Sequence, residues 1–207
     1  MTIVVVDYGM GNIGSIANML RKVGADARIA SDHSVIESAD RLILPGVGAF
    51  DQGMHNLADR GLIPLLRRKV LEEKTPILGV CLGMQLFAKA SEEGHCPGLG
   101  WLDATAVRFR PEDTEPRLKV PHMGWNTLEP QRPHPLLDGL EDQARFYFVH
   151  SFHLVCKDPD AVLTRTSYGG NFVSAVAQGN ILGVQFHPEK SHRFGIRLYR
   201  NFAHTAL

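Results

Sequence analysis

Cys81, His187 and Glu189 are the residues whose types and surroundings point to a reaction. Cys81 stands between a short apolar run at 77–80 and a helical pattern over 82–90, with Gly79 and Gly83 two residues to either side. That is the pattern of a nucleophile elbow: a sharp strand-to-helix turn lifts one side chain above a sheet, and small neighbours let the turn close. A helix starting at the cysteine would favour the thiolate, because unpaired N–H groups and the positive end of the helix dipole face the sulfur. His187-Pro188-Glu189 closes the strand-like run at 181–186. Residues two apart on an extended chain point the same way, and Pro188 is expected to keep the chain extended between them. The histidine could then take the thiol proton, while the glutamate orients the ring and stabilises its charge. Singly, each has a plainer reading: Cys81 as a small buried core residue, and His187 as one of ten histidines.

A thiolate attacking a carbonyl needs donors for the oxyanion. Pro45-Gly46-Val47-Gly48-Ala49-Phe50 follows a buried strand and carries two glycines, so its backbone is free to present N–H groups. Alone it would also pass for an ordinary strand-to-helix loop. Gly9, Gly11 and Gly14 spell G-x-G-x-x-G after the first strand, and Asp32 lies roughly at the distance of a ribose-binding acid. A dinucleotide-binding oxidoreductase is therefore a second hypothesis, although glycine-rich turns recur throughout α/β folds. A non-catalytic α/β scaffold with an inert Cys81 is a third.

The elements that must hold these residues alternate over the first ninety positions. Strands are expected at 3–6, 27–30, 41–44 and 77–80. A helix over 13–23 places Ile13, Ile16, Ala17, Leu20 and Val23 on one stripe. Further helical patterns at 51–60 and 62–73 are broken near Gly61 and Pro64. This predicts an α/β fold, with a mostly parallel central sheet flanked by helices on both faces. Beyond Ser91 strands outnumber helices, at 105–110, 120–128, 145–155, 162–167, 172–178 and 181–186. Several are expected to pair antiparallel through turns at 168–171 and 179–180, adding antiparallel strands in the C-terminal half. Residues 110–116 read as an exposed polar loop and 131–139 as a connector. Ser191 is expected to cap a last helix running to about Ala203, with Phe194, Leu198, Tyr199 and Phe202 inward. With no repeat or linker, residues 1–207 read as one domain.

Of 207 residues, 44% are hydrophobic and 21% charged, the balance of a globular chain with a sizeable core. Lys+Arg and Asp+Glu are 22 each, which gives no electrostatic case for nucleic acid or an anionic membrane. Cys81, Cys96 and Cys156 form an odd, sparse set, arguing against a disulfide framework and for a reducing cytosol. Their spacing matches no zinc site. The N-terminal apolar run is brief and lacks a basic region before it, and no run reaches membrane-span length, so neither a signal peptide nor a span is expected.

Gly79-Val80-Cys81-Leu82-Gly83-Met84-Gln85 together with His187-Pro188-Glu189 resembles the class I glutamine amidotransferases. Within that family the segments at 45–50, 120–126, 147–152 and 187–191 resemble the glutaminase subunits of imidazole glycerol phosphate synthases. The likeness runs from the turn at 7–12 to the last helix; Phe152 stands where tyrosine is common. The resemblance implies a Cys81-His187-Glu189 triad that hydrolyses L-glutamine through a glutamyl thioester. It implies backbone N–H groups of Val47 and Leu82 as the oxyanion hole, and Gly48, Gln85, Ser151 and Phe152 as the glutamine pocket. Ammonia would pass to a (β/α)₈-barrel cyclase subunit in a heterodimer, which makes imidazole glycerol phosphate and an aminoimidazole carboxamide ribonucleotide. Asn12, His122, Met123, Trp125, Tyr147 and Lys190 match positions near that partner. The implied enzyme is cytoplasmic, serves histidine biosynthesis, and uses no cofactor, metal, nucleic acid or membrane. Its nearest rival is an amidotransferase of another pathway.

Overall fold

The computed structural model describes residues 1–110 and 118–205; the loop expected at 110–116 lies, except for its first residue, outside them. The first half alternates as the sequence patterns require. It comprises β1 (Thr2–Val6), α1 (Ile13–Lys22), β2 (Asp26–Ala30), α2 (His33–Glu37), β3 (Arg41–Leu44), α3 (Phe50–Asp59), α4 (Leu62–Arg67), β4 (Ile77–Val80) and α5 (Leu82–Gln85). Strands follow as β5 (Ala90–Ser91), β6 (Ala104–Arg108), β7 (His122–Thr127), β8 (Glu129–Pro130), β9 (Arg145–His150), β10 (Phe152–Cys156), β11 (Val162–Ser167), β12 (Asn171–Gln178) and β13 (Ile181–Val184). Helix α6 (His192–His204) comes last.

β2, β1, β3, β4 and β13 lie side by side, all parallel. Antiparallel β12, β10 and β6 continue the sheet, with β11 and β8 attached beyond β12. The parallel half with its antiparallel extension is the architecture expected. Along β1, Val4 and Val6 enter one apolar cluster while Ile3 and Val5 enter another, because successive strand side chains point to opposite faces. Phe50, Leu57, Leu62 and Leu66 of α3 and α4 belong to the first cluster. Ile16, Leu20, Leu198 and Phe202 of α1 and α6 belong to the second. Both faces of the sheet are thus covered, which explains why its strands read as unbroken apolar runs.

Several local expectations are revised. The strand expected over 145–155 is two strands parted at Ser151: β9 pairs with β7 in a small separate sheet, and β10 enters the large one. The helix expected over 82–90 stops at Gln85. The carbonyls of Leu86, Phe87 and Ala88 accept instead from Leu99, Trp101 and Gly100, at 2.8, 2.9 and 3.0 Å. Pro64 breaks nothing, since it lies in the first turn of α4, where a missing N–H has no intrahelical acceptor to lose. That helix runs on into a π-helical turn, Arg68–Glu72. Pro188 does not hold the chain extended; it opens a 3₁₀ turn, Pro188–Lys190. Ser191 precedes α6 but makes no side-chain cap, because its hydroxyl is used elsewhere.

Candidate active site

β4 ends at the elbow. Cys81 has φ +55° and ψ −110°, a backbone that L residues adopt only under constraint. The constraint is close approach. A Cβ on Gly79 would sit 2.7 Å from Met84 N, and one on Gly83 would sit 1.8 Å from the Leu44 carbonyl oxygen. Cys81 N–H donates to Val184 O at 2.8 Å, tying the elbow to β13. Helix α5 has only four residues, too short for its dipole to activate the sulfur as the sequence pattern implied.

The histidine fills that role. After β13 the chain turns so that His187 N–H donates to Tyr147 O at 2.8 Å. The Ser191 hydroxyl latches the turn, donating to His187 O at 2.6 Å and accepting from Tyr147 N–H at 3.0 Å. His187 Nδ1 lies 2.8 Å from Glu189 Oε1, and both side chains are almost wholly buried. The pairing survives the loss of the extended geometry because the 3₁₀ turn folds Glu189 back onto the ring. Burial pulls the imidazole down, but hydrogen bonding and charge from Cys81 and Glu189 outweigh it and push His187 up to about 10. The ring is therefore an imidazolium at neutral pH, a cation beside a thiol, which is the setting in which a thiol gives up its proton. Nδ1 is committed to Glu189, so the buried Nε2 is the ring atom that exchanges a proton with the sulfur.

The loop after β3 lies against the elbow. A Cβ on Gly46 would sit 2.8 Å from Gly83 N and 2.8 Å from Leu82 Cβ. Tyr8 OH steadies this loop by donating to Pro45 O at 2.5 Å. A Cβ on Gly11, φ +94°, would meet Pro45 Cβ at 2.8 Å, so the glycine-rich turn after β1 is a packing feature beside the same loop. Its other marks do not fit a dinucleotide. Gly14 has open space where a Cβ would stand, and the Asp32 carboxylate caps α2 by accepting from Ser34 and Val35 N–H.

A cleft of about 310 Å³ opens at the nucleophile, and its lining includes Val47, Gly48, Cys81, Leu82, Gln85, Ser151 and Phe152. Every residue expected in the oxyanion hole and glutamine pocket thus shares a cavity with Cys81. Another cleft, about 290 Å³ beside Phe109, His153 and Tyr168, contains no nucleophile. Gln85 Nε2 donates to Phe152 O and to Gln185 Oε1, both at 3.0 Å. With both amide protons committed, what Gln85 offers a ligand is its carbonyl oxygen. Phe152 contributes through its backbone, so replacement of the tyrosine common there costs this contact nothing.

His150 also lines the cleft and was not foreseen. Its Nδ1 lies 2.7 Å from Phe152 O and its Nε2 3.1 Å from His122 Nδ1. A carbonyl only accepts, so Nδ1 of His150 carries the proton and Nε2 accepts from His122. Burial holds both rings low, at about 3 for His150 and about 4 for His122, so both are neutral. Gln185 was missed too. The signal available was a polar residue inside the apolar run leading to His187.

The family model for the class-I glutamine amidotransferases matches residues 4–206. The chain belongs to that family. Among the relatives of this amidotransferase, imidazole glycerol phosphate synthase subunit HisH 2 of Pseudomonas aeruginosa is 54% identical over 200 residues, 97% of this chain and 98% of that one. HisH 2 of Methanococcus maripaludis is 51% identical over 204 residues, 99% of this chain and all of that one. The fold is shared more widely. A putative GMP synthase component from Thermoplasma acidophilum superposes with TM-score 0.72 at 22% identity, over 98% of this chain and 92% of that one. PurLQS from Thermotoga maritima gives 0.72 at 20% identity, over 97% of this chain and 96% of that one.

The amidotransferase bears an exposed aromatic face beside the triad. Met123 is 62% exposed and Trp125 46% exposed. Trp125 stacks on His192 at 5.4 Å and meets Tyr147 edge-on at 6.0 Å, while the Lys190 ammonium lies 5.6 Å from the Tyr147 ring centroid. Asn12 is exposed as well. His122 is a correction to the expected partner-facing set. Strand alternation turns Met123 and Trp125 outward and His122 inward, where it stacks on Phe148 and Tyr168. Among the described residues no helix is long and apolar enough to cross a membrane.

Proposed function

We propose that this chain is the glutaminase subunit of an imidazole glycerol phosphate synthase, working as a single domain over residues 1–207 in the cytoplasm. The observation that carries the reading is the shared cleft: Cys81, with His187 and Glu189 behind it, opens beside all the groups that the chemistry requires. With its proton already on His187 Nε2, Cys81 Sγ attacks the side-chain amide carbon of L-glutamine as a thiolate. Val47 and Leu82 N–H groups stabilise the oxyanion, and Glu189 holds the imidazolium in place. His187 returns the proton to the departing ammonia, leaving a glutamyl thioester. Water then attacks the thioester, releasing glutamate and the free thiol.

The pathway assignment is supported by the near-full-length likeness to proteins named as HisH. Ammonia is delivered to a (β/α)₈-barrel cyclase subunit, which uses it to form imidazole glycerol phosphate and an aminoimidazole carboxamide ribonucleotide in histidine biosynthesis. The face of Asn12, Met123, Trp125, Tyr147 and Lys190 suits that partner. An exposed tryptophan and methionine beside a half-buried tyrosine are residue types that concentrate at interfaces, and Tyr147 is bonded directly to the backbone of His187. A diazoketone analogue of glutamine tests the chemistry. The expected result is one adduct on the Cys81 peptide, suppressed by glutamine and absent from Cys81→Ala. Labelling that falls on Cys96 or Cys156 instead, or that glutamine does not suppress, would overturn the reading.

A further inference from the structure

Gln185 is completely buried, in a run of otherwise apolar side chains. Its Nε2 donates to Cys81 Sγ at 3.7 Å. Its Oε1 accepts from Gln85 Nε2 at 3.0 Å, and Gln85 is held in turn by the Phe152 carbonyl. That carbonyl is fixed by His150. The carboxamide of Gln185 cannot swap its ends, because its NH₂ would then face the NH₂ of Gln85. The bond from Cys81 N–H to Val184 O sets the distance between the two chains at this point. The result is an N–H held on the sulfur from the side of the sheet, apart from the His187–Glu189 pair. A neutral thiol is a poor acceptor for a buried amide, whereas an anionic acceptor makes a hydrogen bond roughly twice as strong.

We propose that Gln185 is a further catalytic residue, which stabilises the Cys81 thiolate by a hydrogen bond that Gln85 orients. The proposal deepens the glutaminase reading and rests on it for the reaction steps. Cys81 attacks as the thiolate paired with protonated His187: the S–C bond forms, the carbonyl electron pair moves onto the oxygen, and Gln185 keeps both its protons throughout. In the thioester the sulfur is neutral and the hydrogen bond weakens. When the water adduct collapses, the S–C electron pair returns to sulfur and the bond strengthens again, so Gln185 assists the departure of the thiolate as well as its formation.

The test uses the full-length chain and reads alkylation of Cys81 by iodoacetamide as a function of pH. Rates are followed on the Cys81 peptide by mass spectrometry, so that Cys96 and Cys156 do not contribute. Gln185→Leu, similar in size but without donors, is expected to raise the midpoint by about one pH unit. Glutaminase kcat should fall about tenfold, with the KM for glutamine little changed. Gln185→Glu should raise the midpoint further, because a second negative charge faces the thiolate. A Gln185→Leu protein with the parent's melting temperature and the parent's midpoint overturns the proposal. Where the leucine variant does not fold, Gln185→Met is read in the same way. The readout needs neither glutamine nor a partner. If Gln185→Leu shifts the midpoint while the parent hydrolyses no glutamine even with its cyclase partner and ligand, the glutaminase reading falls and the action of Gln185 on the sulfur stands.

Discussion

The central residue is His187, because the state of its ring decides what Cys81 can do. Held by Glu189 at 2.8 Å and pushed up to about 10, it stays protonated across the neutral range despite its burial. A raised histidine loses its proton only as pH climbs through the raised value. The alkaline limb of kcat/KM is therefore expected near pH 10, well above the ordinary histidine range. Glu189→Gln removes one of the groups that hold the ring charged. It should lower kcat on the order of 10³–10⁴-fold and move the alkaline limb toward neutrality. A limb that stays in place in this variant would show that Glu189 does not set the charge of the ring. The three triad residues were legible because each carries a local mark: glycines around the cysteine, and a proline between histidine and glutamate. Gln185 and His150 were not, since each acts through a partner distant in sequence, at Cys81 and at His122.

At the scale of elements, the elbow works because backbone passes where side chains would stand. Gly83→Ala would drive a methyl group into the Leu44 carbonyl, a contact no rotamer relieves. It should cost about 1–3 kcal/mol in chemical unfolding. Gly14→Ala, in α1 with open space around it, should instead be neutral or stabilise by about 0.5 kcal/mol. Equal losses for the two would mean that close approach is not what the elbow glycine provides. The parallel strands were readable since each is buried on both faces and bounded by turn residues. The division at Ser151 was not. The apolar–polar pattern continues across it, and only pairing with β7 on one side and β6 on the other separates β9 from β10. For the same reason the end of α5 was invisible: its later carbonyls are taken by a loop over ten residues downstream.

For the whole molecule, the sheet holds the nucleophile at one strand end while the small β7–β9 sheet presents an aromatic face beside it. Trp125→Ala tests that face. With nearly half its surface exposed, the tryptophan should contribute under about 1 kcal/mol to folding, while its loss should weaken cyclase binding or coupling about tenfold or more. A large drop in melting temperature with unchanged coupling would make Trp125 a core residue instead. The central claim is a glutaminase that acts through Cys81; the resemblance further implies that the cyclase partner's ligand activates it, and both are tested most directly by glutamate release from glutamine. It should be measured with and without the cyclase partner and its nucleotide ligand, for the parent and for Cys81→Ala. The account predicts low release from the chain alone, strong release from the liganded complex, and none from the variant. Glutamate formed at parental rates by Cys81→Ala, or no Cys81-dependent glutamate in either condition, would contradict it.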